Sequence, residues 1–486
     1  MKKINATRSL SDSKTLSAQP FSGANDIIAA TLTNAPLIES VPMASLQPCK
    51  RILRKHGASQ RRHLAASLAK YGQVVPILID AEGTIIDGHG VYAALVELGY
   101  TSILAIRVTH LSDPAIRKLR LSLNKLSEGA EWDPEQLRIE LQELSLIDLD
   151  ASFTIPGFEV GELDALILPD TKHRQTDDDD LLPPRDPGKI IACRSGDLWQ
   201  LGAHRLICGN ALDAATYDAL LKGRKAAMVQ SDPPFNVPIT GHVSGLGRAR
   251  HREFAMASGE MSKAGFQDFL ATAMTLAADY AIPGAVLQFF MDWRHMAELL
   301  AAGETADLSL LNLCVWVKDN GGMGSLYRSR HELVFVFKKK GASHRNNVEL
   351  GRHGRYRTNV WEYPGMNSLQ EGRDALLAAH PTVKPVAMIA DAICDSTARG
   401  DAVLDPFAGS GTIFLAATRT GRHGFGIEID PAYCETAIER WEHSTGLKAI
   451  HDETGLTLEA LAKERGSRAR QRRRPVSLKA GSANND

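Results

Sequence analysis

The 486-residue chain reads as an α/β protein, with a largely parallel, helix-covered sheet over residues 190–450 following a smaller α/β domain over 36–130. Three observations predict this. Short apolar runs rich in β-branched and aromatic residues alternate with helical stretches: "AAMVQS" (226–231), "AVLQFFMDW" (285–293), "LNLCVWV" (311–317), "ELVFVFK" (332–338) and "GFGIEID" (424–430). That is the pattern of strands joined by crossover helices. The strand-like "DAVLDPF" (401–407) runs into a glycine-rich turn and then a helix, "AGSGTIFLAATRT" (408–420). Finally, "SDPPFNV" (231–237) ends a buried strand with two prolines, which fix φ and remove two backbone donors.

In chain order, residues 1–35 are Ser/Thr/Asn-rich and read as a disordered leader. Domain 36–130 then shows a helix "SQRRHLAASLAKYG", strands in "VVPILID" and "TIIDGHG" around the turn "AEG", a helix "VYAALVELGY" and a strand "ILAIRVTHL". A helical extension (131–170) includes "DPEQLRIELQEL", and an acidic, Pro-rich linker (171–189) follows it. The linker's Asp177–Asp180 read as a solvated spacer. Residues 451–486 read as a helix and a basic disordered tail beginning near 465. A chain cut near residue 186 is therefore expected to keep the whole main domain.

Composition narrows the class. Hydrophobic residues make up 44% and charged residues 23%, ordinary for a soluble globular protein. The six cysteines lie far apart with no C-x-x-C, which argues against a zinc site or disulfide scaffold and suits a reducing cytosol. No signal-peptide core or membrane-length apolar run is present, so the chain is expected in the cytoplasm with no membrane partner.

The residues that carry chemistry lie in the main domain. Glycines at a strand-to-helix turn (Gly409, Ser410, Gly411) let backbone approach a ligand, and an acid ending the next strand, Glu428, can accept hydrogen bonds from two ribose hydroxyls. A dinucleotide site needs G-x-G-x-x-G. Here the run is G-S-G-T-I-F, so a nucleoside without a pyrophosphate fits better. Asp232 and the carbonyl of Pro233, held rigid by Pro234, could grip an amine, and Phe235 could stack on a ring.

Together "DPPF", "HPTVKP" (380–385) and "LDPFAGSGT…GIEIDP" resemble, in their order, the motif set of the β class of amino-group DNA methyltransferases. The resemblance implies a Rossmann-like methyltransferase fold, S-adenosylmethionine as cofactor and double-stranded DNA as partner, nucleoid-associated when bound. It admits a homodimer and a cognate restriction endonuclease. It implies that Asp232, Pro233, Pro234 and Phe235 act on a flipped base. Asp405, Phe407, Gly409 and Gly411 would form the cofactor turn, Glu428 would hold the ribose, and Thr382 and Lys384 would contact the methionine carboxylate. Asn210, in "LGAHRLICGNALD", stands near the adenine where that family usually has an acid. Asp before Pro-Pro tilts the target to adenine N6, with cytosine N4 the alternative. Carbon-5 methylation needs a cysteine nucleophile, and the only Pro-Cys pair, Pro48-Cys49, lies outside this domain.

Between Arg328 and Arg357 nine Lys/Arg face two glutamates, with Tyr356, Trp361 and Tyr363 in or just after the run. Basic residues among aromatics suit phosphate contact and base stacking. The loop 240–252 could close over a flipped base. The N-terminal domain is similar to the ParB/sulfiredoxin-like fold at Asp87-Gly88-His89, but Gly90, Val91 and Tyr92 stand where an arginine is usual. That departure favours a recruitment or DNA-positioning role over nucleotide hydrolysis. A DNA-binding regulator with an inactive methylase half is the rival reading, and an RNA or protein methyltransferase a third.

Overall fold

In the computed structural model the chain divides into two units, Met1–Trp132 and Asp133–Asp486. The structure describes residues 37–51, 54–128, 131–147, 153–168, 177–181, 191–237, 259–319, 321, 326–352, 355–365 and 383–472. The expected leader, the loop 240–252, Thr382 and the tail beyond 472 lie outside the described residues. Among the described residues no helix is long and apolar enough to cross a membrane.

The first unit holds a four-stranded sheet ordered β1-β4-β2-β3: β1 (Ile38–Pro42), β2 (Ile77–Ile79), β3 (Ile85–Asp87) and β4 (Ser102–Arg107). Helices α1 (Ala58–Tyr71), α2 (His89–Glu97) and α3 (Asp113–Leu126) connect it. Its core is Val41, Ile77, Ile79, Ile85, Leu95 and Ile103. Gly88 joins β3 to α2 at φ +94°, and a Cβ there would meet Ile77 Cγ2 at 2.4 Å. The Asp-Gly-His turn thus needs its glycine to pack against β2.

The second unit is built on ten strands in the order β11-β9-β10-β8-β7-β12-β13-β6-β5-β14. They are β5 (Leu198–Leu201), β6 (His204–Cys208), β7 (Ala226–Ser231), β8 (Ala281–Met291), β9 (Leu308–Val317), β10 (His331–Lys339), β11 (Val360–Glu362), β12 (Ala402–Asp405), β13 (His423–Glu428) and β14 (Ile450–His451). The central run β8-β7-β12-β13-β6 is parallel, and antiparallel strands β10-β9 and β5-β14 extend it on either side. Alternate residues feed cores on both faces. Met228 and Phe290 join Trp199, Ile389, Phe414 and Trp441 on one side, and Val229 and Phe289 join Leu299, Phe337 and Ile427 on the other. All six strands that the sequence predicts for this unit are present, β6 precedes Asn210 in "LGAHRLICGNALD", and β5, β11 and β14 are additional.

Connectivity places the functional crevice. From β7 the chain crosses through α7 (Lys263–Asp279) to β8, and from β12 through α10 (Thr412–Thr420) to β13 on the opposite side. The sheet therefore reverses direction between β7 and β12, and ligands of open α/β sheets bind at the strand carboxyl ends at such a point. The remaining helices of this unit are α4 (Pro134–Ile147), α5 (Val160–Ile167), α6 (Ala214–Leu221), α8 (Met296–Thr305), α9 (Val386–Ser396), α11 (Pro431–Thr445) and α12 (Leu458–Arg472).

Three expectations are corrected here. The helical extension belongs to the second unit: Asp164 of α5, fully buried, pairs with buried Arg422 through two hydrogen bonds of 2.9 and 2.7 Å. The acid run is no solvated spacer either. Asp177 binds Arg419 with both oxygens, the Asp179 carbonyl accepts from Arg440, and Asp180 Oδ1 accepts from Val386 N at 2.7 Å. A cut near 186 would strip a buried guanidinium of its carboxylate. The basic tail, likewise, begins inside α12, where Arg465 pairs with Asp197.

Candidate active site

The carboxyl ends of β6, β7, β12 and β13 enclose one cavity, and ten of the sequence-picked residues line it: Asn210, Asp232, Pro233, Pro234, Phe235, Lys384, Asp405, Phe407, Gly409 and Glu428. Residues up to 218 positions apart in sequence, Asn210 and Glu428, meet because parallel strands deliver their ends to one edge.

Asp232 follows directly on β7. Its Oδ2 accepts from Lys384 Nζ at 2.5 Å, and its Oδ1 is buried without a hydrogen-bond partner. Burial pushes its pKa up, against the pull of the Lys384 ammonium. Lys384 also lies 3.3 Å from Glu332 Oε2, and Glu332 Oε1 lies 2.5 Å from Lys318 Nζ. Burial opposes charge on Glu332, but the two ammoniums outweigh it and hold the carboxyl down at about 2. Burial likewise works against the Lys384 ammonium, and the two carboxylates more than offset it. The ammonium also lies over aromatic faces, with Nζ 4.9 Å from the Phe290 ring centroid, 5.9 Å from that of Trp316 and 6.0 Å from that of Phe235. Lys384 is thus tied to the acid of the Asp-Pro-Pro-Phe segment, a partner that the sequence did not reveal.

Phe235 is half-buried and packs against both cores. Beside it Asn236, at φ +53°, accepts from the backbone N–H of Gly259 and Met261 and donates to the Met261 carbonyl. Its side chain thereby ties residue 236 to residues 259–261.

The glycine turn divides its labour. Gly409 N donates to Glu428 Oε2 at 2.9 Å, and Asp430 N donates to Glu428 Oε1 at 2.9 Å. Glu428 is therefore oriented by backbone on both oxygens, each of which keeps a free lone pair. Burial pushes its pKa up to about 7, against those hydrogen bonds. Asp405 accepts from Phe407 N at 3.0 Å and is pushed by burial up to about 8. Gly411, at φ +79°, caps α10 and does not line the cavity. A Cβ there would meet Ala437 Cβ at 2.7 Å, so its glycine serves the packing of α10 on α11. Asn210 uses Oδ1 to accept from Leu212 N at 3.0 Å and lies exposed at the rim.

Sequence reasoning missed several groups here. Glu332 counted only as one of two acids within the basic stretch, and Lys318 was not singled out. Buried Gln230, Ser231 and Gln288 looked like strand polar residues, yet Gln230 Nε2 and Oε1, Ser231 Oγ and Gln288 Oε1 have no hydrogen-bond partner. Native interiors seldom leave such groups unpaired.

The basic stretch 328–357 is less free than its composition implied. Arg355 and Arg357 pair with Asp395, and Lys339 donates to the carbonyls of Ala278 and Ala281. Trp361 is buried and Tyr363 donates to Asp391, whereas Tyr327 and Tyr356 remain exposed.

Residues 226–439 match the DNA methylase family model of the N6/N4 methyltransferases. The second unit carries a DNA methylase domain of that family. The chain is 26% identical over 251 residues to the Type II methyltransferase M.HpaI of Haemophilus parainfluenzae, covering 49% of this chain and 73% of that protein. It is also 26% identical over 242 residues to the Type II methyltransferase M2.DpnII of Streptococcus pneumoniae, covering 47% and 87%. Among solved structures, the C-terminally truncated chromosome-partitioning protein ParB from Caulobacter crescentus is 18% identical and covers 28% of this chain and 81% of that one, at a TM-score of 0.24. Asp232, Lys384, the glycine turn and Glu428 fall inside the matched residues, whereas Asn210 on the cavity wall precedes them.

Proposed function

We propose that the methylase domain moves the methyl group of S-adenosylmethionine to N6 of an adenine flipped out of duplex DNA. The observation that carries this reading is the state of Asp232, a residue that lines the cavity, with one oxygen held by Lys384 and the other buried and unpartnered. Bound S-adenosylmethionine would supply an electrophilic methyl on a sulfonium.

The amino nitrogen of adenine is a poor nucleophile because its lone pair is delocalised into the ring. Asp232 Oδ1 and the Pro233 carbonyl can accept its two hydrogens, which favours a tetrahedral nitrogen and localises that pair. As the amine takes the methyl group, Asp232 would accept the surplus proton from the nitrogen. Two prolines fix the acceptors, so little reorganisation is needed. Phe235 offers a face for the base. Glu428 would hold the ribose hydroxyls, Asp405, Phe407 and Gly409 would pack along the nucleoside, and Asn210 would lie near the adenine of the cofactor.

We read the first unit as a recruitment or DNA-positioning module. Exposed Tyr327 and Tyr356, with Arg328, Arg330 and Arg352 nearby in sequence, are the best candidates for the DNA face. The deciding experiment incubates the full chain with S-adenosylmethionine and plasmid DNA and identifies modified nucleosides by mass spectrometry. N6-methyladenine is expected. N4-methylcytosine would overturn the base assignment, and no modified base would overturn the activity.

A further inference from the structure

We propose that Gln230 is the binding residue for the amino-acid end of the methyl donor, its carboxamide pairing with an α-ammonium and an α-carboxylate. This deepens the methyl-donor reading and rests on it.

Gln230 lines the cavity, is 2% exposed, and has neither a donor nor an acceptor partner for its amide. Leaving both ends of a buried carboxamide unpaired is costly, and the cost is recovered only when something that both accepts and donates enters the cavity. Strand alternation puts Gln230 on the same face of β7 as Asp232, two residues and roughly 6.6 Å deeper. It pairs in register with Gln288 of β8, which also leaves Oε1 unpartnered. The wall below Asp232 is therefore polar and unsatisfied.

Position selects the ligand part. Glu428 ends β13, and β12 lies between β13 and β7, so the ribose acid and Gln230 sit about two strand spacings, ~10 Å, apart across the sheet. A nucleoside whose ribose is held at Glu428 can extend its 5′ substituent across β12 to β7, since the lining of the one cavity runs from Glu428 to Gln230. In S-adenosylmethionine that substituent carries the sulfonium and then a zwitterionic amino acid. The cation expected from sequence to take the carboxylate, Lys384, is already shared between Asp232 and Glu332. A neutral carboxamide answers both charges of the zwitterion with no net charge of its own. The flipped base is the poorer candidate, because its amine must reach Asp232 nearer the cavity mouth.

The test compares two ligands that differ only in this end: S-adenosylhomocysteine, which has the amino acid, and 5′-methylthioadenosine, which lacks it. Calorimetric affinities are measured for the full chain and for Gln230→Met, which keeps volume and apolar packing. The variant should lose affinity for S-adenosylhomocysteine on the order of tenfold per hydrogen bond, with 5′-methylthioadenosine unchanged. Its ligand-free melting temperature should rise, because an orphaned amide is replaced by a thioether. Should Gln230→Met fold poorly, Gln230→Glu preserves size and polarity. It keeps the acceptor but repels the carboxylate, and should show the same selective loss. Equal losses for both ligands, or none, would overturn the assignment. If the unaltered chain binds neither ligand, the methyl-donor reading itself falls, and the assignment with it.

Discussion

Lys384 Nζ stands 2.5 Å from Asp232 Oδ2 and 3.3 Å from Glu332 Oε2, joining the end of β7 to β10 and to the segment leading into α9. Lys384 thus bridges two buried carboxyls, with Lys318 as a second cation on Glu332, and leaves Asp232 Oδ1 as the free acceptor. In Lys384→Gln, Asp232 and Glu332 would face each other without that cation, and the Asp232 pKa should climb further. Methyl transfer near neutral pH should fall on the order of 10²-fold, the range seen when a preorganised charge is removed. The acid limb of the pH–rate profile should move to higher pH. A uniform loss at every pH would show that Lys384 does not act through Asp232.

Glu428 gives a second, ligand-centred prediction. Burial raises its pKa to about 7, and only the carboxylate can accept from two hydroxyls. Affinity for S-adenosylmethionine should therefore weaken as pH falls through about 7 and be full well above it. In Glu428→Gln that dependence should flatten. In Glu428→Ala binding should weaken by one to two orders of magnitude, corresponding to roughly 1.5–3 kcal/mol for charge-assisted hydrogen bonds. Isothermal titration across the pH range reads all three.

Asp164 and Arg422 predict where the catalytic part can be cut. Both are buried, and Arg422 also donates to the carbonyls of Thr397 and Thr420. Removing Asp164 leaves an uncompensated cation, a loss of about 3–5 kcal/mol. A chain beginning at 133 should unfold cooperatively in urea, whereas one beginning at 186 should unfold at clearly lower denaturant. Equal midpoints would contradict the assignment of the α4–α5 pair to the methylase unit.

Much of the sheet was legible in the sequence because β7, β8, β9, β10, β12 and β13 are long apolar or β-branched runs with turn residues at their ends. β11 and β14 are three and two residues long, below what periodicity can register. The cavity wall was legible wherever a residue combined a special type with a special place: Asp232 before two prolines, Gly409 in a turn, Glu428 ending a strand. Gly411 carried the same signal for a different cause, helix packing against Ala437. What sequence could not reveal is pairing at a distance. Lys384 meets Asp232 across 152 positions, and the acid run looked solvated because Arg419 and Arg440 lie more than 230 residues away. Gln230 was hidden because an unpartnered amide is visible only once its neighbours are known.

The most direct measurement is tritiated methyl transfer to duplex DNA by Asp232→Ala, alongside calorimetric binding of S-adenosylmethionine to the same variant. In the proposed reading Asp232 would act on the base and not on the cofactor. Transfer should be abolished while cofactor affinity stays within about tenfold, one hydrogen bond's worth. Undiminished transfer by a folded, cofactor-binding Asp232→Ala protein would contradict the assignment of Asp232 as the acceptor that activates the amine.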